Sequence, residues 1–267
     1  MSDKTALAIA GFDPSSGAGV TADLAVFAAH GVFGTSAITA LTVQSTTGVR
    51  RVEPVGEDLL RETLACLQED LPPAGVKIGM LGGASQVREV TSYLQAIERK
   101  PLVVLDPVVQ SSSGAELLDR EGRECLINGL LPLVDVVTPN TGELTLLTGL
   151  PCGDEAAICV AAGALVSRFE GLAVFVTGGH REKPDDLLLV DGRFVVLPGE
   201  WVETRSTHGT GCAFSSALLC GLLQGKSLEE AGLAAKAYVS EGLRRALPRG
   251  HGKGPLALLW PLERADT

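Results

Sequence analysis

The chain has 267 residues, a net charge of −10 and a hydrophobic fraction of 45%. That length suits one large α/β domain over residues 1–267, and the charge excludes a broad nucleic-acid or anionic-membrane surface while leaving room for a local site that takes a small anion. No apolar run reaches the roughly 20 residues that span a bilayer, residues 1–5 lack the basic start of a leader, and the cysteines form no CxxC pair, so they read as reduced thiols of a cytoplasmic protein.

In chain order, residues 7–10 read as a buried strand, 11–19 as a glycine-rich loop and 20–30 as a helix. Residues 36–43 and 49–54 follow as strands, then 56–70 as a helix, 76–78 as a short strand and 85–99 as a helix. The run 102–105 is a buried strand, 119–131 a helix and 134–137 a strand, with helices over 143–148 and 154–169. Residues 172–177 form another strand. Residues 187–190 and 193–197 flank Asp191-Gly192, a hairpin by its turn chemistry, and helices over 209–224 and 228–247 close the chain. Strands alternating with helices imply a mainly parallel sheet covered on both faces. The expected strands end in small or polar residues: Gly11-Phe12-Asp13, Gln44, Asp106, Asn140 and Thr177-Gly178. Ligands of such sheets sit outside the carboxyl ends of the strands, so these residues should line one cleft.

The stretch Ser206 to Cys212 carries the most chemistry. Gly209 and Gly211 leave the backbone bare where a helix begins, and the unpartnered amides of a first turn hold phosphate. Gly209, Thr210 and Gly211 are therefore read as an anion hole. Cys212 falls in the same turn, where a thiol is expected to ionise more easily. Asp106 and Glu143 each follow a buried strand closely, and carboxylates on a rigid sheet edge suit magnesium. The plain readings are a helix cap for Asp106 and a first-turn acid for Glu143. Gln44 offers a planar amide whose carbonyl accepts from an exocyclic amine while its NH2 donates to a ring nitrogen. Two further motifs are set aside. Gly17-Ala18-Gly19-Val20-Thr21-Ala22 fits a loose dinucleotide fingerprint but lacks the acid at the end of the second strand. A glycine turn that lets a substrate near the backbone fits better. Gly221, Gly225 and Lys226-Ser227 miss the P-loop spacing and follow a helix, which leaves Gly225 as a helix-ending glycine.

Taken together, Ala10-Gly11-Phe12-Asp13-Pro14-Ser15-Ser16-Gly17-Ala18-Gly19 with Ala22-Asp23-Leu24, Gln44-Ser45-Thr46, Lys77-Ile78-Gly79-Met80-Leu81, Asp106-Pro107-Val108, Thr138-Pro139-Asn140 with Glu143, Gly178-Gly179-His180, Thr207 to Cys212 and Gly250-His251-Gly252 resemble, in order and over nearly the whole chain, the hydroxymethylpyrimidine and phosphomethylpyrimidine kinases of thiamine biosynthesis. The resemblance implies a ribokinase-like three-layer α/β/α sandwich, ATP as co-substrate, Mg2+ as cofactor and a homodimer. It implies a pyrimidine pocket of Gly11, Asp23, Gln44, Met80 and Val108, and nucleotide contacts from Asn140, Thr177, Gly179 and Thr207. By the same likeness Asp106 and Glu143 are the magnesium-side acids, and Cys212 stands where most sugar kinases of this fold carry an aspartate base. Thr177 departs from the lysine usual in the family: the missing charge weakens ATP affinity, or Arg181, Arg205 or Lys253 supplies it. A pyridoxine or pyridoxal kinase of the same fold is the rival reading, and a non-catalytic pyrimidine-binding protein a third.

Overall fold

The computed structural model describes residues 4–111, 114–178 and 184–263. Among them, nine strands form one sheet: β1 (Thr5–Phe12), β2 (Phe33–Ser45), β3 (Gly48–Pro54), β4 (Gly75–Ile78), β5 (Leu102–Leu105), β6 (Val136–Val137), β7 (Ala173–Val176), β8 (Asp186–Val190) and β9 (Arg193–Leu197). Their order is β3-β2-β1-β4-β5-β6-β7-β8-β9. The run from β2 to β7 is parallel, and β3, β8 and β9 extend its edges antiparallel. The chain builds outward from β1 to β2 on one side and to β4 on the other. That reversal of direction opens a crevice at the carboxyl ends.

Helices α1 (Gly19–Ala29), α2 (Glu57–Asp70), α3 (Ala84–Ala96), α4 (Arg120–Cys125), α5 (Thr141–Thr148), α6 (Glu155–Arg168), α7 (Thr210–Leu223) and α8 (Leu228–Arg244) cover the two faces. The alternation along β1 shows how the layers divide. Leu7 and Ile9 enter one core with α2, α3, α5 and α6, while Ala6, Ala8 and Ala10 enter the other with α1, α7 and α8. Burying each large aliphatic side chain contributes about 1.5–3 kcal/mol. The small residues on the second face let α7 lie close: a Cβ on Gly75 would stand 2.7 Å from Leu219. The three-layer α/β/α arrangement and mainly parallel sheet expected from the sequence are both present.

The differences are local. β1 and β2 run longer than their apolar stretches, because backbone pairing continues through Gly34 to Ser36 on β2. The helix expected over 119–131 stops at Cys125 and continues as a π turn over Leu126–Leu130 and a 3-10 turn over Leu131–Leu133. Pro132 lacks an amide hydrogen and its ring crowds the carbonyl four residues back, so a regular ladder cannot continue there. α3 ends at Ala96, where Ile97 turns extended. Asp191 and Gly192 both have positive φ, 49° and 72°, the backbone of the two-residue hairpin turn predicted from them. Gly225, φ 88°, follows the end of α7 as a left-handed terminator.

Candidate active site

A cavity of about 880 Å3 opens at the carboxyl ends of the parallel strands. Gly11 and Asp13 reach it from β1, Gln44 from β2, Met80 after β4, Asp106 and Val108 after β5, Asn140 and Glu143 after β6, and Thr177 after β7. Thr207 and the start of α7, Gly209 to Cys212, form the opposite wall. The expected convergence of strand ends is therefore present. Gly179 and Arg181 lie outside the described residues.

The wall at α7 is built by two glycines. Gly209 has φ 84°, and a Cβ there would fall 1.8 Å from the carbonyl oxygen of Gly17. No side chain caps α7 and no acid sits in its first turn. The first-turn amides are thus left for a ligand at the positive end of the helix dipole. Ala18 and Gly19 line the cavity, so this turn lies open to a substrate as expected, and both glycines are also needed for close packing: a Cβ on Gly17 would run into the His208 ring. A Cβ on Gly19 would meet the Gly11 carbonyl oxygen at 2.1 Å.

Asp106 faces that wall: a Cβ on Gly211 would lie 3.6 Å from its Oδ2. Asp106 caps no helix, since Asp119 caps α4, and its Oδ2 is buried with no hydrogen-bond partner. Burial raises its pKa, with Lys77 pulling the other way. Glu143 does complete a cap. The Asn140 amide donates to Glu143 Oε2 and the Glu143 amide to Asn140 Oδ1, each at 2.9 Å. Burial, and then the charge of Asp106, push the Glu143 carboxyl up to about 8 against those hydrogen bonds. An orphaned carboxylate oxygen and a second acid beside it fit a magnesium ion, which takes one or two carboxylates and completes its shell with water and phosphate oxygens. Among the described residues no larger His, Cys, Asp and Glu cluster gathers.

Two expectations need correction. Asp23 does not line the cavity. It is fully buried beneath it, where Lys77 Nζ lies 2.9 Å from its Oδ1 and 3.0 Å from its Oδ2, and Ser216 Oγ donates to Oδ1 at 2.8 Å. Val76 and Ile78 point into the α2–α6 core, so Lys77 between them must point toward α1 and α7, which supply Asp23 and Ser216. The second correction concerns Cys212. It touches the cavity, but burial, and then the carboxylates of Asp106 and Asp23, push its thiol up to about 12 against the pull of Lys77. Desolvation outweighs the helix N-terminus here.

Sequence reasoning assigned no role to His208 or Lys236, which the structure brings to the cavity wall. His208 Nε2 lies 2.7 Å from Asp13 Oδ2 and 3.0 Å from Gln44 Nε2. Lys236 Nζ pairs with Asp186 Oδ2 at 2.7 Å and donates to the Pro184 carbonyl at 2.6 Å. Of the cations considered for the place left by Thr177, Lys253 lines the cavity and Arg205 does not. A lysine inside the apolar strand Val76-Lys77-Ile78 was the one available signal for the buried pair.

Phosphoryl transfer needs positioning and charge stabilisation more than covalent chemistry, and an uncapped helix start opposite paired acids offers both. With this sheet, that makes the chain a phosphotransferase of the ribokinase-like class. The family model described as phosphomethylpyrimidine kinase matches residues 13–257. A hydroxymethylpyrimidine/phosphomethylpyrimidine kinase of Haemophilus influenzae is 40% identical, over 94% of this chain and 95% of its own. Among solved structures, the phosphomethylpyrimidine kinase of Clostridium difficile superposes with a TM-score of 0.79 at 33% identity, over 90% of this chain and 99% of its own. The Staphylococcus aureus pyridoxal kinase in complex with AMP-PCP and pyridoxal gives 0.86 at 28% identity, over 98% of this chain and 96% of its own. The chain belongs to the phosphomethylpyrimidine kinase family.

Proposed function

We propose that this protein transfers the terminal phosphoryl group of ATP to the hydroxymethyl group of 4-amino-5-hydroxymethyl-2-methylpyrimidine, and then to the resulting monophosphate. The observation that carries the reading is the pairing, within one cavity, of an uncapped α7 with the orphaned Asp106 oxygen, with Gln44 available to read an aminopyrimidine edge. The nucleotide analogue in the pyridoxal kinase complex supports ATP as the donor.

In this reading the amides of Gly209, Thr210 and Gly211 hold the transferring group and its developing charge. Asp106 and Glu143 would hold Mg2+, which when bound neutralises charge on the phosphate oxygens. Asn140, Thr177, Thr207 and Lys253 serve the nucleotide side. Gly11, Met80 and Val108 shape the pyrimidine pocket with Gln44. Cys212 receives the proton of the attacking hydroxyl. Its thiol is pushed up by its surroundings and must first give its own proton to solvent in the cavity it lines, so thiolate is scarce near neutrality. A homodimer belongs to the same proposal, and sedimentation velocity would test it.

Pyridoxal is the second reading, favoured by the close superposition of the pyridoxal kinase. An ADP-release assay with magnesium and ATP decides, run on the aminopyrimidine alcohol, its monophosphate and pyridoxal, with product masses recorded. Conversion of the first two to a diphosphate is expected. Turnover of pyridoxal alone would replace the proposal, and silence on all three would end the catalytic reading.

A further inference from the structure

Hydrogen-bond valence around Gln44 can be counted from both of its ends. At one end His208 Nε2 sits 2.7 Å from Asp13 Oδ2. Asp13 also accepts from the Ser15 amide at 2.8 Å, Ser15 Oγ at 2.7 Å and the Ala18 amide at 3.0 Å. A carboxylate in that setting is an acceptor only, so Nε2 must carry the hydrogen it donates. Gln44 Nε2 stands 3.0 Å from the same ring nitrogen. An NH2 group placed there would point a second donor at a nitrogen that is already donating.

At the other end Thr42 Oγ1 is 3.0 Å from the Phe12 carbonyl oxygen and 3.3 Å from Gln44 Oε1. Thr42 has one hydroxyl hydrogen, and the nearer acceptor, the Phe12 carbonyl, takes it. Oγ1 then faces the Gln44 amide as an acceptor, and an amide oxygen there would set acceptor against acceptor. Turning the amide over removes both conflicts: the His208 Nε2 hydrogen aimed at Asp13 is then shared with a second acceptor instead of being opposed by a donor, and the amide's oxygen and nitrogen occupy the same shape, so only the partners tell them apart.

We propose that Asp13, His208 and Thr42 are positioning residues that hold the Gln44 amide with its carbonyl oxygen toward His208 and its NH2 toward Thr42. Each amide atom keeps one valence for a ligand, and the order of acceptor and donor along the cavity wall is fixed before the ligand arrives. The ring of His208 is itself held in place: a Cβ on Gly17 would fall 2.2 Å from its Cδ2. The β2–β3 pairing slips between Val43 and Gln44, which re-aims the strand at this residue. The inference deepens the proposed function, and its consequence for specificity rests on that reading. A fixed acceptor–donor order selects a ring that presents an exocyclic amine beside a bare ring nitrogen, and rejects the corresponding oxo ring, whose order is reversed.

Two measurements test it. Long-range proton–nitrogen correlation of the nitrogen-15-labelled, ligand-free protein reads the His208 ring directly. A protonated Nε2 is expected, and a bare Nε2 would overturn the proposal whatever the substrate proves to be. Kinetics then use His208→Leu, which removes the donor, and His208→Gln, which restores one. His208→Leu should raise KM for the aminopyrimidine about tenfold or more, with a much smaller change in kcat. His208→Gln should return most of that loss. In a Gln44→Ala background, His208→Leu should cost nothing further. Equal effects of Leu and Gln, or a full additional loss in the Gln44→Ala background, would leave His208 a packing residue and sink the idea. If the wild-type protein ignores the aminopyrimidine altogether, the substrate reading has failed, and the ring spectrum still decides the positioning network.

Discussion

Asp23 and Asp106 are both buried aspartates whose charge Lys77 offsets, yet they are finished differently. Asp23 has Lys77 on both oxygens and Ser216 on one. Asp106 has an oxygen with no partner, turned toward the start of α7. Native proteins seldom leave a buried polar atom unpaired, so the exception marks where a ligand completes the structure. The first aspartate is closed and holds α1, β4 and α7 together. The second is open and belongs to the chemistry.

Lys77→Met gives the largest expected effect and attacks the closed pair. It strands Asp23 in the core, and breaking a buried pair from one side costs about 3–5 kcal/mol. Adding Asp23→Leu should recover the part owed to the stranded Asp23, while the Lys77 charge that also offsets Asp106 stays lost. Urea unfolding of the single and double variants measures it. A single variant as stable as the parent would show that the pair does not hold the layers. Asp106→Asn should behave in the opposite way. Activity should fall about 10²–10³-fold, in the range seen for losing one preorganised electrostatic contact, with stability kept or raised. Comparable destabilisation by Asp106→Asn and Lys77→Met would erase the distinction between the two acids.

Cys212 lies between them, its sulfur within reach of the fields of Asp106, Asp23 and Lys77. Cys212→Ala should slow phosphorylation of the alcohol about 10²-fold, the low end for general-base help, because the thiol is held protonated. The monophosphate is already largely ionised near neutral pH and should suffer less. Separate rates for the two steps check this, and equal losses would assign Cys212 to the shape of the anion hole.

How much of this was readable in the sequence follows from the range of each interaction. The strand ends were legible, because a polar residue closing an apolar run is a local signal: Asp106, Asn140 and Thr177 all reach the cavity. The first turn of α7 was legible from its two glycines. Asp23 was misplaced because its partners come from β4 and α7, and nothing near it in the chain announces them. The Cys212 thiol reads lower from the sequence because a helix terminus shows there, whereas the desolvation and the Asp106 and Asp23 charges that push it up come from distant parts of the chain. His208 was seen only as part of a glycine-rich stretch, since its partner Asp13 is 195 residues away.

The smallest expected effect tests the Asp13 end of the network and extends the contrast to a third aspartate, as buried as Asp106 but fully partnered. Burial alone would raise the Asp13 pKa; the hydrogen bonds from His208 and Ser15 win and hold it below its ordinary value of 3.8. A carboxyl lowered on folding stabilises the protein above that ordinary value, and the contribution disappears as pH falls through the folded value. Asp13→Asn keeps one acceptor atom where the carboxylate had two, so it should cost about 1.5–3 kcal/mol near neutral pH. The gap from the parent should then close on acidification, because the parent loses what the variant never had. Urea midpoints of both proteins from neutral pH down to about one unit below that ordinary carboxyl value measure the gap. A gap that stays constant or widens in acid would mean that the charge on Asp13 is not what its partners hold, and that the carboxylate facing His208 is structural packing rather than the anchor of the Gln44 network.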